Sequence, residues 1–315
     1  MDLVIDQIPR VEKRMRQSTN DHNPVLNIAI DHLLSSGGKR IRPTVTLLTG
    51  EMLGGDKESC ITLAAAIEML HTATLVHDDL IDGALLRRGI STLNARWSPA
   101  ATVLTGDYIF AKAAKLAAET GSIQVMQLFA DTLAAIVNGE INQLFPGEGL
   151  TDIEKYEKRI YAKTASMFEL ATSAAAALSN ADQEIKHKIK QFGFDIGMAF
   201  QIIDDVLDLT GEQATVGKPV ASDLRQGVIT LPVIYYVEMR SDDRDLIHIL
   251  SGNHYEENVM DRVVHSINQS GAIERAVEVA IDYVDNSIKI LADMPENPEK
   301  EGLTELARYI VDRKL

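Results

Sequence analysis

Residues His71–Arg88 read HTATLVHDDLIDGALLRR, a stretch that contains three closely spaced aspartates. If the stretch is helical, the four-residue step places Asp78 and Asp82 one turn apart on one face, with Asp79 beside them. An apolar segment precedes them, so the carboxylates are predicted to lie where a buried helix ends. Burying several like charges without compensation is too costly, so cations are implied, and hard oxygen ligands favour Mg²⁺.

The same spacing returns in FQIIDDVLD, residues Phe200–Asp208, where Asp204, Asp205 and Asp208 again end an apolar run. One such pattern is weak evidence, because common residues in this order recur by chance and usually form a solvated helix face. Two copies, each ending an apolar helix, are strong evidence. They predict carboxylate sites for a cation that binds substrate phosphates.

The composition restricts the class of protein. The chain has 315 residues with 45% hydrophobic content, and it has no long linker or composition shift, so residues 1–315 are predicted to form a single domain. The N-terminus has no signal-peptide core and no uninterrupted apolar run approaches a membrane span, so we expect a cytoplasmic protein that is not a membrane protein. Cys60 is the only cysteine, which excludes an internal disulfide. The net charge of -15 argues against a nucleic-acid partner.

Helical periodicity dominates the chain, and strand signals are nearly absent. Apolar residues recur at spacings of three and four, which predicts an all-α fold. The residues after Arg240 are amphipathic and acidic, and we expect helices that complete the core there. The predicted helices are Asn27–Leu34, Pro43–Met52, Ile61–Val76, Ala100–Glu119, Ile123–Leu144, Ile153–Ala177, Ala181–Leu209 and Leu231–Met239.

Basic residues follow two glycines in SSGGKRIRP, residues Ser35–Pro43. Such a turn can present Lys39, Arg40 and Arg42 to a diphosphate, or it can be an ordinary solvated basic turn. It lacks the spacing of a nucleotide P-loop. Its significance therefore depends on the acidic motifs.

Further cations and a histidine accompany the acidic motifs. Arg87 and Arg88 suit forked contact with phosphate oxygens, or they complement the negative end of a helix. His71 lies two turns before Asp78 and is either a ligand or a core residue. Lys163 sits in an apolar helix, where it either lines a pocket or extends to the surface.

With GGKRIRP, HDDLIDGALLRRG, KT, FQIIDDVLD and GKPVASDL in this order, the chain resembles the trans-isoprenyl diphosphate synthases from about Asp31 to Pro232. The resemblance implies an all-α isoprenoid synthase fold, with helices around a deep central cavity and Asp78 and Asp204 close across its mouth. It also implies a prenyltransferase that condenses isopentenyl diphosphate with an allylic diphosphate in trans.

The same resemblance implies roles for individual residues. No side-chain base is named, because the diphosphate leaving group is taken to accept the proton. The catalytic residues would be Asp78, Asp82, Asp204 and Lys163. Three Mg²⁺ ions per active site would be held by Asp78, Asp82 and Asp204, with Asp79, Asp205 and Asp208 behind them. Isopentenyl diphosphate would bind Lys39, Arg42, His71 and Arg88. The allylic diphosphate would bind Arg87, Lys163, Thr164, Gln201 and Lys218.

One position departs from the family pattern. Many members have a lysine in a GKxTLP segment that follows the loop aspartate Asp223, whereas this chain has Val228. Either Lys218 and Arg87 suffice for the allylic diphosphate, or this site is weakened. Replacing Val228 with lysine should therefore be tolerated or lower the KM for the allylic substrate.

The length of the product is predicted from small side chains. Thr74 and Ala73, four and five residues before Asp78, would meet the growing tail and are small, so the tail should pass. Phe129, with Met126, would form a deeper floor. We therefore expect a long-chain all-trans product; the alternative is a short-chain farnesyl or geranylgeranyl diphosphate.

Other classes of function are weaker alternatives. A metal-dependent phosphohydrolase could use His77, Asp78 and His71, but it leaves the second acidic motif unexplained. A terpene cyclase would not need Lys39, Arg42 and Arg88. A non-catalytic partner chain would not need both acidic motifs. The resemblance implies a homodimer, a heteromer stays open, and release of an apolar product would involve transient membrane contact.

Overall fold

The computed structural model describes residues 2–19, 23–35, 37–87, 89–145, 152–211, 220–251 and 255–313. Its secondary structure is almost entirely helical, and the all-α prediction is confirmed. The helices are α1 (Ile8–Thr19), α2 (Pro24–Ser35), α3 (Ile41–Met52), α4 (Lys57–Ile81), α5 (Leu93–Arg96), α6 (Pro99–Glu119), α7 (Ile123–Leu144), α8 (Ile153–Ile160), α9 (Ser166–Ala177), α10 (Gln183–Thr210), α11 (Ser222–Arg225), α12 (Leu231–Met239), α13 (Arg244–Leu250), α14 (Glu257–Gln269), α15 (Ala272–Ala292) and α16 (Pro298–Asp312). The strands are β1 (Leu86–Arg87) and β2 (Ile90–Ser91).

The chain divides into two compact units. The first comprises Met1–Ala134, Met167–Gly193 and Ile290–Leu306. The second comprises Ala135–Ser166, Phe194–Lys289 and Ala307–Leu315. The first acidic motif and the basic turn belong to the first unit, and the second acidic motif belongs to the second.

Helix α4 is the central element of the first unit, and it packs against α1, α3 and α6. It begins where a carboxylate oxygen of Asp56 accepts a hydrogen bond from the backbone N–H of Ser59, at 2.9 Å. Three consecutive alanines, Ala64, Ala65 and Ala66, are fully buried and allow neighbouring helices to approach closely. By length and composition α4 could cross a membrane, but 72% of its apolar window is buried, as in the core helix of a soluble protein.

The second unit contains an irregular turn between α8 and α9. Residues Tyr161–Ala165 form one wide π-helical turn, which shifts the register of the side chains that follow. Two glycines face this turn. A Cβ atom on Gly139 would lie 2.5 Å from Cβ of Ala162, and one on Gly197 would lie 2.6 Å from Cα of Ala165. Both positions therefore require a residue without a side chain.

The observed helices confirm the predicted ones, and the structure adds short elements. Helices α1, α5 and α11, a 3-10 helix at Asp2–Val4, the π-helical turn and the β1–β2 hairpin were not predicted. The hairpin pairs Leu86 with Ser91 and Arg87 with Ile90, and Gly89 adopts a φ of 76° between the strands. Two strands of two residues each are too short to produce the alternating pattern by which strands are predicted.

Candidate active site

The first acidic motif lies at the C-terminal end of α4. Asp82 is the C-cap residue and keeps helical angles, so its backbone N–H donates to the carbonyl oxygen of Asp78 at 2.8 Å. The predicted four-residue spacing is therefore retained, with Asp78 half-buried and Asp82 exposed. The C-terminal end of a helix carries partial negative charge, so two carboxylates there repel each other and the helix end. A bound cation would relieve this repulsion.

The middle aspartate of the motif has a different environment. Asp79 is 6% exposed, and its Oδ1 accepts a hydrogen bond from Nε of Arg87 at 2.8 Å. This ion pair fastens the β1–β2 hairpin to the end of α4. Arg87, predicted to bind the allylic diphosphate, uses Nε for this contact, and a guanidinium has five N–H donors. Arg87 therefore pairs with Asp79 in addition to its predicted role in binding the allylic diphosphate.

The basic turn before α3 is held by its middle cation. Arg40 donates through Nη1 to Glu68 at 2.7 Å, through Nε to Glu12 at 2.9 Å, and through Nη2 to the carbonyl oxygen of Leu34 at 3.2 Å. Its φ of 49° is unusual for a residue other than glycine, and it is stabilised by these contacts. Lys39 is exposed beside it.

The other predicted isopentenyl diphosphate ligands of the first unit lie on α3 and α4. Arg42 is half-buried, with its guanidinium carbon 5.1 Å from the centroid of the Phe168 ring. His71 is half-buried on α4, and its carbonyl oxygen accepts a hydrogen bond from Oγ1 of Thr74 at 2.8 Å. Arg88 lies outside the described residues.

His77 faces α6 and contacts it closely. Its Nε2 lies 3.1 Å from the carbonyl oxygen of Val103 and 3.6 Å from Asp107. A Cβ atom on Gly106 would come within 2.1 Å of the same nitrogen, so glycine is required there. These contacts hold the imidazole of His77 against α6.

The second acidic motif lies in the last turns of α10. Asp204 is half-buried and binds Arg313, whose Nη1 is 2.8 Å from Oδ1. Asp208 accepts hydrogen bonds from the backbone N–H groups of Ser222 and Asp223, both at 3.1 Å. Asp208 therefore holds the N-terminal end of α11 in place.

Asp205 is buried within a hydrogen-bonded network of polar side chains. The hydroxyl of Thr164 donates to Oε1 of Gln201 at 2.5 Å, and Nε2 of Gln201 donates to Oδ1 of Asp205 at 2.8 Å. The hydroxyl of Tyr156 donates to the other carboxylate oxygen at 2.8 Å. Burial, together with the charge of Asp223, raises the pKa of Asp205 to about 7. The same burial and the neighbouring carboxylate raise the pKa of Tyr156 well above its usual value.

The wide turn between α8 and α9 carries two predicted residues of the allylic site. Lys163 has a side chain 41% exposed and lies 3.9 Å from Glu140, which is a loose ion pair. Thr164 is buried, and its hydroxyl belongs to the hydrogen-bonded network around Asp205. Lys218, the remaining cation of the predicted allylic site, lies outside the described residues, and Val228 is half-buried.

Replacing Gly197 with alanine should lower the free energy of unfolding by about 1–3 kcal/mol, because the added Cβ meets the backbone of the π-helical turn. Gly302→Ala is the matched control. Its Cβ would meet only the side-chain ends of Leu3 and Leu48, at 3.1 and 3.3 Å, and these can rotate away. Urea unfolding of both variants is the measurement, and equal stabilities would contradict the close packing at Gly197.

The three residues predicted to determine product length are all buried. Ala73 is fully buried, Thr74 is 8% exposed and Phe129 is 3% exposed. All three belong to the first unit. Their role in limiting the product stays a prediction.

The donor set fits a hard divalent cation. Asp78, Asp82 and Asp204 are partly exposed carboxylates, which suit Mg²⁺ with water and phosphate as further ligands. In the part of the chain that the structure describes, no three His, Cys, Asp or Glu side chains form a group that could hold a metal ion by themselves. Since Asp78 and Asp82 belong to the first unit and Asp204 to the second, their proximity stays a prediction.

Comparison with known proteins gives consistent matches over the whole chain. The sequence profile of the family described as Polyprenyl synthetase matches residues 23–267. Heptaprenyl diphosphate synthase component 2 of Geobacillus stearothermophilus is 37% identical over 310 residues, which cover 98% of this chain and 96% of that protein. A short chain isoprenyl diphosphate synthase of Methanothermobacter thermautotrophicus is 33% identical over 323 residues, with 100% and 98% coverage.

Solved structures agree with these relatives. A crystal structure of a polyprenyl synthase from Caulobacter crescentus CB15, complexed with calcium and isoprenyl diphosphate, has a TM-score of 0.93 to this chain at 33% sequence identity. The alignment covers 100% of this chain and 97% of that one.

Proposed function

The chain belongs to the polyprenyl synthetase family and is a prenyltransferase, and we propose that it makes a long-chain all-trans polyprenyl diphosphate from isopentenyl diphosphate and an allylic diphosphate. In each round, the C–O bond of the allylic diphosphate breaks and its electron pair leaves with the diphosphate. The double bond of isopentenyl diphosphate attacks the allylic cation. Loss of a proton to the released diphosphate completes a five-carbon extension.

The observation that carries the proposal is the contrast within each acidic motif. Asp78, Asp82 and Asp204 have partly exposed carboxylates, whereas Asp79 and Asp205 are buried. In both motifs the same spacing leaves a partly exposed carboxylate beside a buried one. The partly exposed carboxylates are the ones that a cation and a diphosphate could reach from solvent.

Mg²⁺ is part of the proposal. Asp78, Asp82 and Asp204 would hold it, three ions to an active site, and bound Mg²⁺ would supply the positive charge that makes diphosphate a good leaving group. Asp79, Asp205 and Asp208 would support these ligands through the contacts that each makes in the structure.

The cations of this chain would bind the substrates. Lys39, Arg42, His71 and Arg88 would hold isopentenyl diphosphate, and the anchoring of Arg40 supports this role because it fixes the turn that carries Lys39. The allylic diphosphate would be held by Arg87, Lys163, Thr164, Gln201 and Lys218. The hydrogen bonds from Thr164 to Gln201 and from Gln201 to Asp205 would keep this side of the site in one orientation.

The long-chain assignment rests on two observations. The relatives include a heptaprenyl diphosphate synthase component at 37% identity, and the similar solved structures include a decaprenyl diphosphate synthase. Thr74 and Ala73 are also small, so no bulky side chain would stop the product there. A short-chain product is the alternative.

Thr74→Tyr and Ala73→Phe should each shorten the product, because a bulky group one turn before Asp78 would stop the growing tail. Thr72→Tyr is a suitable control, since Thr72 is half-buried on the same helix and its hydroxyl donates to the carbonyl oxygen of Glu68. Mass spectrometry of the products reports the shift. An unchanged product length in both variants would contradict the role of Ala73 and Thr74 in setting that length.

We infer that residues 1–315 act as one cytoplasmic polyprenyl synthase domain and form a homodimer. The Geobacillus stearothermophilus relative is named component 2 of a synthase, so a heteromer is the alternative assembly. Light scattering of the purified chain, alone and during turnover, tests which assembly is active.

The experiment that tests the activity is an incorporation assay with both substrates. Purified protein, Mg²⁺, labelled isopentenyl diphosphate and farnesyl diphosphate should give label in an extractable lipid diphosphate, and omission of either the allylic primer or Mg²⁺ should abolish it. Release of inorganic phosphate without incorporation would favour a phosphohydrolase instead.

A further inference from the structure

The C-terminal segment provides a cation that contacts the second acidic motif. Arg313 directly follows α16, and its Nη1 lies 2.8 Å from Oδ1 of Asp204. Its Nη2 donates to the carbonyl oxygen of Phe200 at 3.1 Å, and its guanidinium carbon lies 4.0 Å from the centroid of the Phe200 ring. Although it is near the end of the chain, the side chain of Arg313 is only 9% exposed.

The contact involves the carboxylate that the proposed function assigns to Mg²⁺. Asp204 is 40% exposed, so a cation can reach it, but one of its oxygens already carries an ion pair with a fixed guanidinium. A positive charge this close to a bound divalent ion repels it, and the repulsion is strong where solvent screening is partial. Arginine and Mg²⁺ therefore compete for Asp204.

We propose that Arg313 is a positioning residue that holds Asp204 in the absence of metal and sets the concentration of Mg²⁺ at which this carboxylate binds the ion. The inference rests on the proposed function, because it takes Asp204 as a metal ligand. Two of the four contacts of Arg313 go to Phe200, and a third joins Nε to the carbonyl oxygen of Ile310 at 3.2 Å. Metal entry therefore requires the loss of one ion pair and leaves the C-terminal segment anchored.

The arrangement has a defined consequence for metal binding. Removal of the charge at position 313 should make Mg²⁺ bind more tightly, by about tenfold, because a competing cation is lost next to the site. Lysine in its place keeps the charge and should stay close to the original affinity. A role in folding alone would change stability without changing the affinity for Mg²⁺.

Titration of the melting temperature with Mg²⁺ alone, without substrates, measures this affinity. Arg313→Met and Arg313→Gln should reach the half-maximal shift at about one tenth of the Mg²⁺ concentration that the original chain needs. Arg308→Met is the matched control, because it removes the same charge from an exposed position on α16 and should leave the midpoint unchanged. The glutamine variant keeps a donor for the carbonyl oxygen of Phe200 if methionine disturbs the fold.

Unchanged or higher Mg²⁺ midpoints in both neutral variants would overturn the inference, as would absence of any Mg²⁺-dependent shift. The incorporation assay on the same samples separates this failure from failure of the proposed function. Condensation with an unchanged midpoint would reject the role of Arg313 alone. Absence of condensation in the unmodified chain would reject the function itself.

Discussion

Asp78→Asn is expected to reduce turnover roughly a thousandfold while the fold is retained. The variant keeps the size of the side chain but removes one negative charge at the C-terminal end of α4. If the carboxylate holds a cation that stabilises the departing diphosphate, its loss costs about 4 kcal/mol of transition-state stabilisation. The half-buried position and the helix end, which disfavours negative charge, make purely structural damage small.

Asp56→Asn is the matched control for this prediction. It makes the same change at the other end of the same helix, where Asp56 caps the backbone N–H of Ser59 and asparagine caps equally well. Steady-state kinetics should show near-normal turnover for Asp56→Asn and a collapse for Asp78→Asn, with circular dichroism unchanged in both. Near-normal turnover of Asp78→Asn would reject the metal assignment.

Arg40→Met is expected to lower the free energy of unfolding by about 3–5 kcal/mol. The substitution leaves Glu68, whose side chain is 8% exposed, as a buried charge without its main partner. It also removes the contacts to Glu12 and to the carbonyl oxygen of Leu34. Since a domain is stable by only about 5–15 kcal/mol, a large share of the stability would be lost.

Arg10→Met tests whether burial of the ion pair is the reason for the large loss of stability expected in Arg40→Met. Arg10 forms an ion pair with Glu58, but the two side chains are 45% and 71% exposed, so its loss should cost less than about 1 kcal/mol. The double variant Arg40→Met with Glu68→Leu should recover much of the stability, because no buried charge is left alone. Urea unfolding measures all three variants. Equal losses for Arg10→Met and Arg40→Met would contradict the account of the buried pair.

The helices and the spacing of the aspartates could be predicted from the sequence because both depend on local periodicity. Asp78 and Asp82 keep their four-residue relation even though the helix ends at Ile81. For Asp79 and Asp205, the sequence predicted only that they support the metal-binding aspartates. Their partners, Arg87 and Tyr156, depend on folded positions that the spacing of residues along the chain does not determine.

Three features of the structure had no sequence signal. Arg40 was grouped with Lys39 and Arg42 in a turn predicted to bind a diphosphate. Its partners in the structure are Glu12 and Glu68, each 28 residues away. The π-helical turn depends on an inserted residue in an otherwise regular helical pattern. The pairing of Arg313 with Asp204 joins positions 109 residues apart. Only tertiary contacts could reveal these arrangements.

The central claim is that this chain forms carbon–carbon bonds between isopentenyl and allylic diphosphates and continues to a long product. Mass spectrometry of the products made with Mg²⁺, isopentenyl diphosphate and, separately, dimethylallyl, geranyl, farnesyl and geranylgeranyl diphosphates tests this most directly. The account predicts a series that rises in five-carbon steps to well beyond twenty carbons. A series that stops at fifteen or twenty carbons would contradict the long-chain assignment, and unextended primers in every reaction would contradict the condensation itself.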